Sequence, residues 1–454
     1  MELLMRLMRV QVEGLLGHFT HVVEFEDSQD FVILYGPNGI GKTRLLELIN
    51  FTFKSRILAV DRVPFETATF DFEDGTVLSL SREGQGALFD GTGDDSVRDL
   101  VISLRIPSEN EITWQMGRSR RQAPVSRILR LIEQEVPVTR VGPDEWHDMV
   151  HEEVISRDQL IDRYGSHLPP DMRPYELPEK MQAFFDGLES HLIETQRLLR
   201  DTPRPRGVSA RSMERPAKST VEVFSQNFSE QMGKVLAQNS RTSQERDRTF
   251  PRRLLSYGGV PAEATEEAIR LRYGQQSELR ARLARIALLE QSSTDLPLPD
   301  RELEDWERLV LWTYLDDSQE KLANLQDFLE RAELFTGIMN GRLEYKQLHV
   351  SREGFTVVSD YGQEIPVVSL SSGEQHELVL TYDLLFNVNR GALVLIDEPE
   401  ISLHVAWQQE FMNDIANIAN IASLRFIVAT HSPQIIHKWW SRAVSLGPNV
   451  ERGQ

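Results

Sequence analysis

The sequence predicts an α/β fold, a mixed sheet with an antiparallel lobe, interrupted by a helical insertion arm, and three observations predict it. Phe31 to Tyr35 is a fully apolar run of the kind that forms a strand buried on both faces. Two more core strands are expected far along the chain, at Ala392 to Ile396 and in SLRFIVAT ending at Thr430, so both ends of the sequence contribute to one core. Between them, from about Thr220 to Met339, apolar residues recur with helical spacing.

Taken in order, Leu7 to Val12 and His21 to Phe25 are strand-like, and Phe31 to Tyr35 runs directly into GPNGIGKT at Gly36 to Thr43. From Lys42 the segment KTRLLELINFTF places Leu45, Leu46, Leu48 and Ile49 at helical spacing, completing strand, loop and helix. FETATFDF and TVLSLSRE, separated by Asp74 and Gly75, predict a hairpin, and another strand is expected near Leu100 to Ile106. A mixed region leads to HLIETQRLL at His191 to Leu199, read as a further core strand. Residues 201–218 combine Pro, Gly, Ser and Arg as a linker does. Leu311, Leu315, Leu322, Leu325, Leu329 and Ala332 form a short heptad-like seam, which predicts a compact helical arm rather than a long coiled-coil rod. After Asn340 strands return in LEYKQLHV and GFTVVSD, and LSSGEQ at Leu370 to Gln375 opens a helix. The expected division is 1–200 for the N-terminal part of the head, 201–340 for linker and arm, and 341–454 for the C-terminal part.

With 454 residues, 40% hydrophobic and 26% charged, the chain has globular composition and length for two or three structural units. Cysteine is absent, which removes disulfides, thiolate metal sites and cysteine nucleophiles and suits a reducing compartment. MELLMRLMRV is broken by Arg6 and Arg9 and no run reaches membrane-spanning length, so the expectation is a cytoplasmic protein without membrane attachment. The net charge of −20 opposes non-specific attachment to nucleic acid. Arg197 to Arg253, however, holds thirteen Lys and Arg against six Asp and Glu, and that stretch is either a solvated loop or a contact for DNA, RNA or an acidic partner.

The chemistry sits in four short strings. In GPNGIGKT, Gly36 and Gly41 let the backbone curl so that successive N–H groups, those of Asn38, Gly39 and Ile40 among them, face a phosphate at a helix N-terminus. Lys42 then reaches the β- and γ-phosphates and the Thr43 hydroxyl ligates Mg²⁺. ALVLIDEPE ends an apolar strand in Asp397, placed to hold Mg²⁺ through water, with Glu398 aimed at the attacking water. His431 lies just past the next strand, where its ring can hydrogen-bond a γ-phosphate. In LSSGEQ, the Ser371 hydroxyl and the amides around Gly373 can donate to a γ-phosphate, but their own phosphate loop is expected on another edge of the sheet, so they serve a second copy of the chain. ATP and Mg²⁺ are the expected ligands, and paired heads sandwiching two ATP molecules the expected assembly.

This order of motifs resembles the ABC-type P-loop ATPase superfamily, specifically its soluble SMC, RecF and OLD-like branch. Asn38-Gly39 in the Walker A loop, the late signature, the long insertion and DEPEISLH after the second strand carry the resemblance. His404 stands where that pattern has an aspartate, and Ser372 where it has a glycine. The resemblance implies a Mg²⁺-sensing glutamine at Gln196, with Arg197 beside it as the alternative. HLIETQRLL, DRTFPRRLL, LSSGEQHELVL, DEPEISLHVAWQ and ATHSPQII further resemble bacterial AAA-type ATP-binding proteins, similar to ATPases of anti-phage operons such as Septu and PARIS. It implies a sensor or switch controlling a separate effector, a nuclease or toxin from the same operon. The alternative is a DNA repair or maintenance ATPase of the SMC or RecF kind that binds DNA through the 197–253 stretch. A transporter motor is the least expected, since the insertion displaces the transporter-type helical subdomain.

Overall fold

The structure is a computed structural model that describes residues 5–26, 29–83, 99–116, 125–149, 153–165, 168, 175–194, 220–289, 298–401 and 403–447. The chain divides into two compact units, Met1–Ala217 with Val388–Gln454, and Lys218–Asn387. The first unit begins with β1 (Leu7–Leu15), β2 (Phe19–Glu24), β3 (Phe31–Tyr35), α1 (Lys42–Phe53), α2 (Ile57–Arg62), β4 (Thr67–Phe72), β5 (Val77–Glu83), β6 (Asp99–Arg105) and β7 (Ile112–Gln115). It continues through α3 (Val125–Glu135), β8 (Val138–Arg140), β9 (Glu145–Asp148), β10 (Glu153–Ser156), α4 (Arg157–Tyr164), α5 (Glu179–Asp186) and β11 (Ser190–Glu194). The second unit holds α6 (Thr220–Ser256), α7 (Glu266–Arg285), α8 (Asp305–Arg342), β12 (Lys346–Ser351), β13 (Gly354–Ser359), β14 (Glu364–Ile365) and α9 (Ser372–Tyr382). The chain then returns to the first unit as β15 (Leu393–Asp397), α10 (Val405–Ala422), β16 (Arg425–Thr430), α11 (Pro433–Ile436) and β17 (Ala443–Ser445).

The apolar runs become a five-stranded parallel sheet in the order β11-β15-β16-β3-β17, in which every residue of β16 is buried. The antiparallel lobe is a six-stranded sheet in the order β2-β1-β4-β5-β6-β7. Leu45, Leu46, Leu48 and Ile49 of α1 are fully buried in one core with Val10, Phe70 and Leu80 of the antiparallel sheet and Leu395 and Ile427 of the parallel one. The hairpin between β4 and β5 turns where expected: both carboxylate oxygens of Asp74 accept from Thr76, and Gly75 supplies the left-handed φ of +83°. β11 takes in His191 to Glu194 of the string read as a strand, and residues 195–219 lie outside the described residues.

In the second unit Leu315, Leu325, Leu329 and Ala332 have no exposed surface, so the leucine seam of α8 is used for packing inside the unit. Phe228 of α6, Phe328 and Phe335 of α8, Phe355 of β13, Tyr382 of α9 and Phe386 interlock with ring centroids 5.0 to 6.3 Å apart. The two units differ from the division into 1–200, 201–340 and 341–454 expected from sequence. The boundary falls between Asn387 and Val388 rather than after residue 340, because β12 to α9 bury their aromatics against the long helices. Two residues of the basic stretch are engaged within the unit: Arg253 and Arg246 pair with Asp317 and Glu320 of α8, while Lys234, Arg241, Arg248 and Arg252 are exposed. Among the described residues no helix is long and apolar enough to cross a membrane.

Candidate nucleotide site

β3 delivers the chain at the C-terminal edge of the parallel sheet, and the next residues wrap into the N-terminus of α1. Gly36 is required sterically: a Cβ there would lie 2.2 Å from the Leu446 carbonyl oxygen and 2.4 Å from Ile40 Cδ1. Gly39 and Gly41 adopt φ of +87° and +91°, and Gly41 is the left-handed N-cap of α1. The first amides of an α-helix lack a partner within it, which makes a helix N-terminus such as that of α1 suited to an anion. Asn38 and Gly39 are exposed, whereas Ile40 is buried. The Lys42 ammonium folds back over the loop, donating to the carbonyls of Gly36 at 2.9 Å and Pro37 at 3.2 Å.

One brace of this loop went unread in the sequence. His21 of β2 is 2% exposed, and its Nε2 lies 2.8 Å from the Ile40 carbonyl, to which it donates. Burial lowers the proton affinity of this imidazole against the opposing pull of the Ile40 and Thr20 backbone contacts. An inward-facing histidine in the strand-like FTHVVEF string was the available signal.

β15 lies one strand away from β3 across β16, and its end meets the loop. The Thr43 hydroxyl donates to Asp397 Oδ2 at 2.8 Å, closing a contact across 354 residues of sequence. A hydroxyl and a carboxylate so joined are hard oxygen donors of the type Mg²⁺ takes alongside phosphate and water. Burial raises the Asp397 carboxyl above its ordinary value, the Thr43 hydrogen bond and Lys42 oppose the rise, and Glu398 adds to it. A cation at this point would offset that burial.

Glu398 follows with φ of +49°, a left-handed conformation that costs a side-chain-bearing residue about 1–3 kcal/mol and is found mostly where function demands it. Its amide is held by the Ala429 carbonyl at 2.9 Å. Nδ1 of His431 lies 3.7 Å from Glu398 Oε1 and 3.0 Å from Glu400 Oε1. Glu400 also accepts the His431 backbone N–H at 2.9 Å, a role the sequence reading did not assign. Behind them Gln408 of α10 donates to the carbonyls of Glu400 and Leu403 and accepts from the Ser432 hydroxyl, tying the two loops together. His404 caps α10, its Nδ1 accepting from the Ala406 amide.

Ser371 and Gly373 sit in the second unit, Ser371 as the N-cap of α9 and Gly373 in its first turn. Ser371 Oγ accepts from the Glu374 amide, and the Glu374 carboxylate accepts from the Ser371 amide at 2.9 Å and from Lys346 at 3.0 Å. Burial works against the charge on Glu374, yet the bonds from Lys346 and Ser371 hold its carboxyl below the usual range. Because the serine oxygen serves the cap as acceptor, its hydroxyl proton is left to donate elsewhere. Gln196 and Arg197 lie outside the described residues.

Among curated proteins, the chain is 30% identical to the Retron Ec83 probable ATPase of Escherichia coli over 120 residues, 24% of this chain and 22% of that protein. It is 32% identical to the Retron Vc95 probable ATPase of Vibrio cholerae serotype O1 biovar El Tor over 104 residues, 20% of each. The chain thus spans about a fifth of the length of these relatives. Among solved structures, the Smc head domain with an extended coiled coil bound to the C-terminal domain of ScpA, from Pyrococcus furiosus, aligns over 98% of this chain and 94% of that one at 13% identity and a TM-score of 0.33. The SMC head domain from Thermotoga maritima aligns over 97% and 92% at 10% identity and a TM-score of 0.31. Residues 208–437, just over half of the chain, match the family described as "AAA domain, putative AbiEii toxin, Type IV TA system". They include the signature helix, Asp397, Glu398 and His431, and the chain belongs to this AAA domain family.

Proposed function

We propose that the protein is a Mg²⁺-dependent ATPase whose paired heads act as a switch for a separate effector in bacterial anti-phage defence. The observation that carries the enzymatic part is the Thr43–Asp397 hydrogen bond, which joins the phosphate loop to the acidic strand end beside Glu398. Lys42 leaves its loop carbonyls for the β- and γ-phosphate oxygens, and the glycine-lined turn presents amides to the same group. Thr43 and Asp397 would hold Mg²⁺, which when bound neutralises charge between the β- and γ-phosphates. Glu398, left-handed and partly exposed, orients and polarises the attacking water, and His431 contacts the γ-phosphate side. Ser371 and the first amides of α9 serve the nucleotide of a second copy, so ATP stabilises the pair by mass action and hydrolysis releases it.

The defence role is supported by the resemblance to anti-phage operon ATPases and by the retron ATPases among the relatives. A DNA-maintenance role would need the basic stretch to grip phosphates, and Arg246 and Arg253 are instead engaged by acids of α8. Two substitutions test the chemistry. Lys42→Ala abolishes tight nucleotide binding, whereas Glu398→Gln binds ATP, accumulates as a dimer and loses about 10²- to 10⁴-fold in hydrolysis. Normal turnover by the second variant would remove Glu398 from its role. Co-purification with the protein encoded beside it tests the switch, and absence of any complex with or without ATP would end the defence reading.

A further inference from the structure

We propose that Glu400 is a positioning residue for hydrolysis: it fixes the imidazole of His431 in the Nδ1–H tautomer and anchors its backbone, leaving Nε2 as the ring nitrogen available to the nucleotide. The inference rests on the ATPase reading above, and the geometry that motivates it stands in the nucleotide-free protein.

The Glu400 side chain is only 7% exposed, and one of its oxygens, Oε1, faces two nitrogens of the same residue: the His431 amide at 2.9 Å and Nδ1 at 3.0 Å. An ionised carboxylate is acceptor-only, so a lone pair on Nδ1 at that distance would be repelled and the proton belongs on Nδ1. Among the described residues, the carboxylates paired with the ring are Glu398 and Glu400, both from the turn after β15. Beside His431 in the chain, the neutral Ser432 donates its amide to the Thr430 hydroxyl and its own hydroxyl to Gln408 of α10. Glu398 is more exposed, at 27%, and more distant from Nδ1, at 3.7 Å. Glu400 itself is held from behind, since its carbonyl accepts from the Gln408 amide. The turn thus separates two carboxylates by role, Glu398 toward the water and Glu400 toward the histidine.

The test uses the full chain with ¹⁵N-labelled histidine and the variants Glu400→Ala and Glu400→Gln. At pH 8.5, where an ordinary imidazole is neutral, long-range ¹H–¹⁵N spectra of the nucleotide-free protein should show His431 protonated on Nδ1. Glu400→Ala should lose that signature and slow single-turnover ATP hydrolysis about 10- to 100-fold, the scale of losing an orienting partner, with ATP affinity within about threefold of wild type. Glu400→Gln, whose amide oxygen can accept both N–H groups, should keep the Nδ1–H signature and recover most of the rate. A wild-type His431 protonated on Nε2, or a Glu400→Ala protein with unchanged spectrum and rate, overturns the assignment. The spectrum reads the tautomer without turnover, so failure of the ATPase reading in Lys42→Ala or Glu398→Gln is distinguishable from failure here.

Discussion

Gly36→Ala probes the sharpest steric constraint in the phosphate loop. The new Cβ would sit 2.2 Å from the Leu446 carbonyl oxygen and 2.4 Å from Ile40 Cδ1. The isoleucine methyl can rotate away, but the carbonyl is backbone, tied by the Leu446 N–H to the Tyr35 carbonyl at 2.8 Å and by β17 pairing with β3. Restoring an ordinary contact requires a retreat of about 1 Å or more, enough to weaken that hydrogen bond. Overpacking costs about 1–3 kcal/mol and the lost bond about 1 kcal/mol, for a total of about 2–4 kcal/mol. Gly39→Ala is the control: φ is +87° with nothing within 4 Å of the added atom, so it carries only the left-handed backbone cost of about 1–2 kcal/mol. Urea unfolding of both variants, with titration of a fluorescent ATP analogue, measures the two effects. Gly36→Ala should unfold at lower urea than Gly39→Ala and bind the analogue more weakly than wild type. A Gly36→Ala protein with wild-type midpoint and affinity, or a reversed ranking, would refute the steric reasoning.

Other perturbations follow from the same geometry. Burial raises the Asp162 carboxyl to about 7 despite the Tyr175 hydrogen bond, so its folded-state stability is present below the ordinary 3.8 and is lost as pH rises through 7. The Tyr175 hydroxyl lies 2.9 Å from the Ser55 carbonyl and 3.0 Å from Asp162 Oδ1; its one proton serves one acceptor, and a protonated Asp162 completes the pair. Asp162→Asn should therefore be more stable than wild type at pH 8 by up to about 4 kcal/mol in urea unfolding and equal to it near pH 3. His376 of α9 behaves oppositely: burial lowers it to about 4, so stability is complete above 6.5 and is lost as pH falls toward 4. His376→Leu should flatten that acid limb, worth about 3 kcal/mol, and an unchanged slope would discount the buried ring. Ser371→Ala should weaken the α9 cap by about 1 kcal/mol and, placed in Glu398→Gln, reduce ATP-dependent dimerisation in sedimentation velocity. Undiminished dimerisation would sink the assignment of Ser371 to a second copy's nucleotide.

What could be read directly from the sequence was what depends on neighbours along the chain. β3, β15 and β16 are buried on both faces, so each is a continuous apolar run, and the loop and acidic pair follow such runs without a gap. The lobe from α3 to α4 was opaque because its strands have only three or four residues and its core is assembled from separated positions such as Ile128, Trp146 and Leu160. The boundary after Asn387 was opaque for a related reason, since Phe228 and Phe386 meet across more than 150 residues and neither carries a local mark of the contact. At the candidate site, Thr43, Asp397 and Glu398 could be singled out because a helix start and a strand end mark their positions, and the structure joins Thr43 to Asp397. His21 was missed because its partner, the Ile40 carbonyl, is a backbone group that leaves no trace in residue identity, and Glu400 because its contacts with the amide and ring of His431 close across 31 residues of sequence. The chemistry of this site is therefore written in side chains, while its rigidity comes from side chains reaching backbone. A reading that seeks only reactive residues recovers the first layer and passes over the residues that hold it in place.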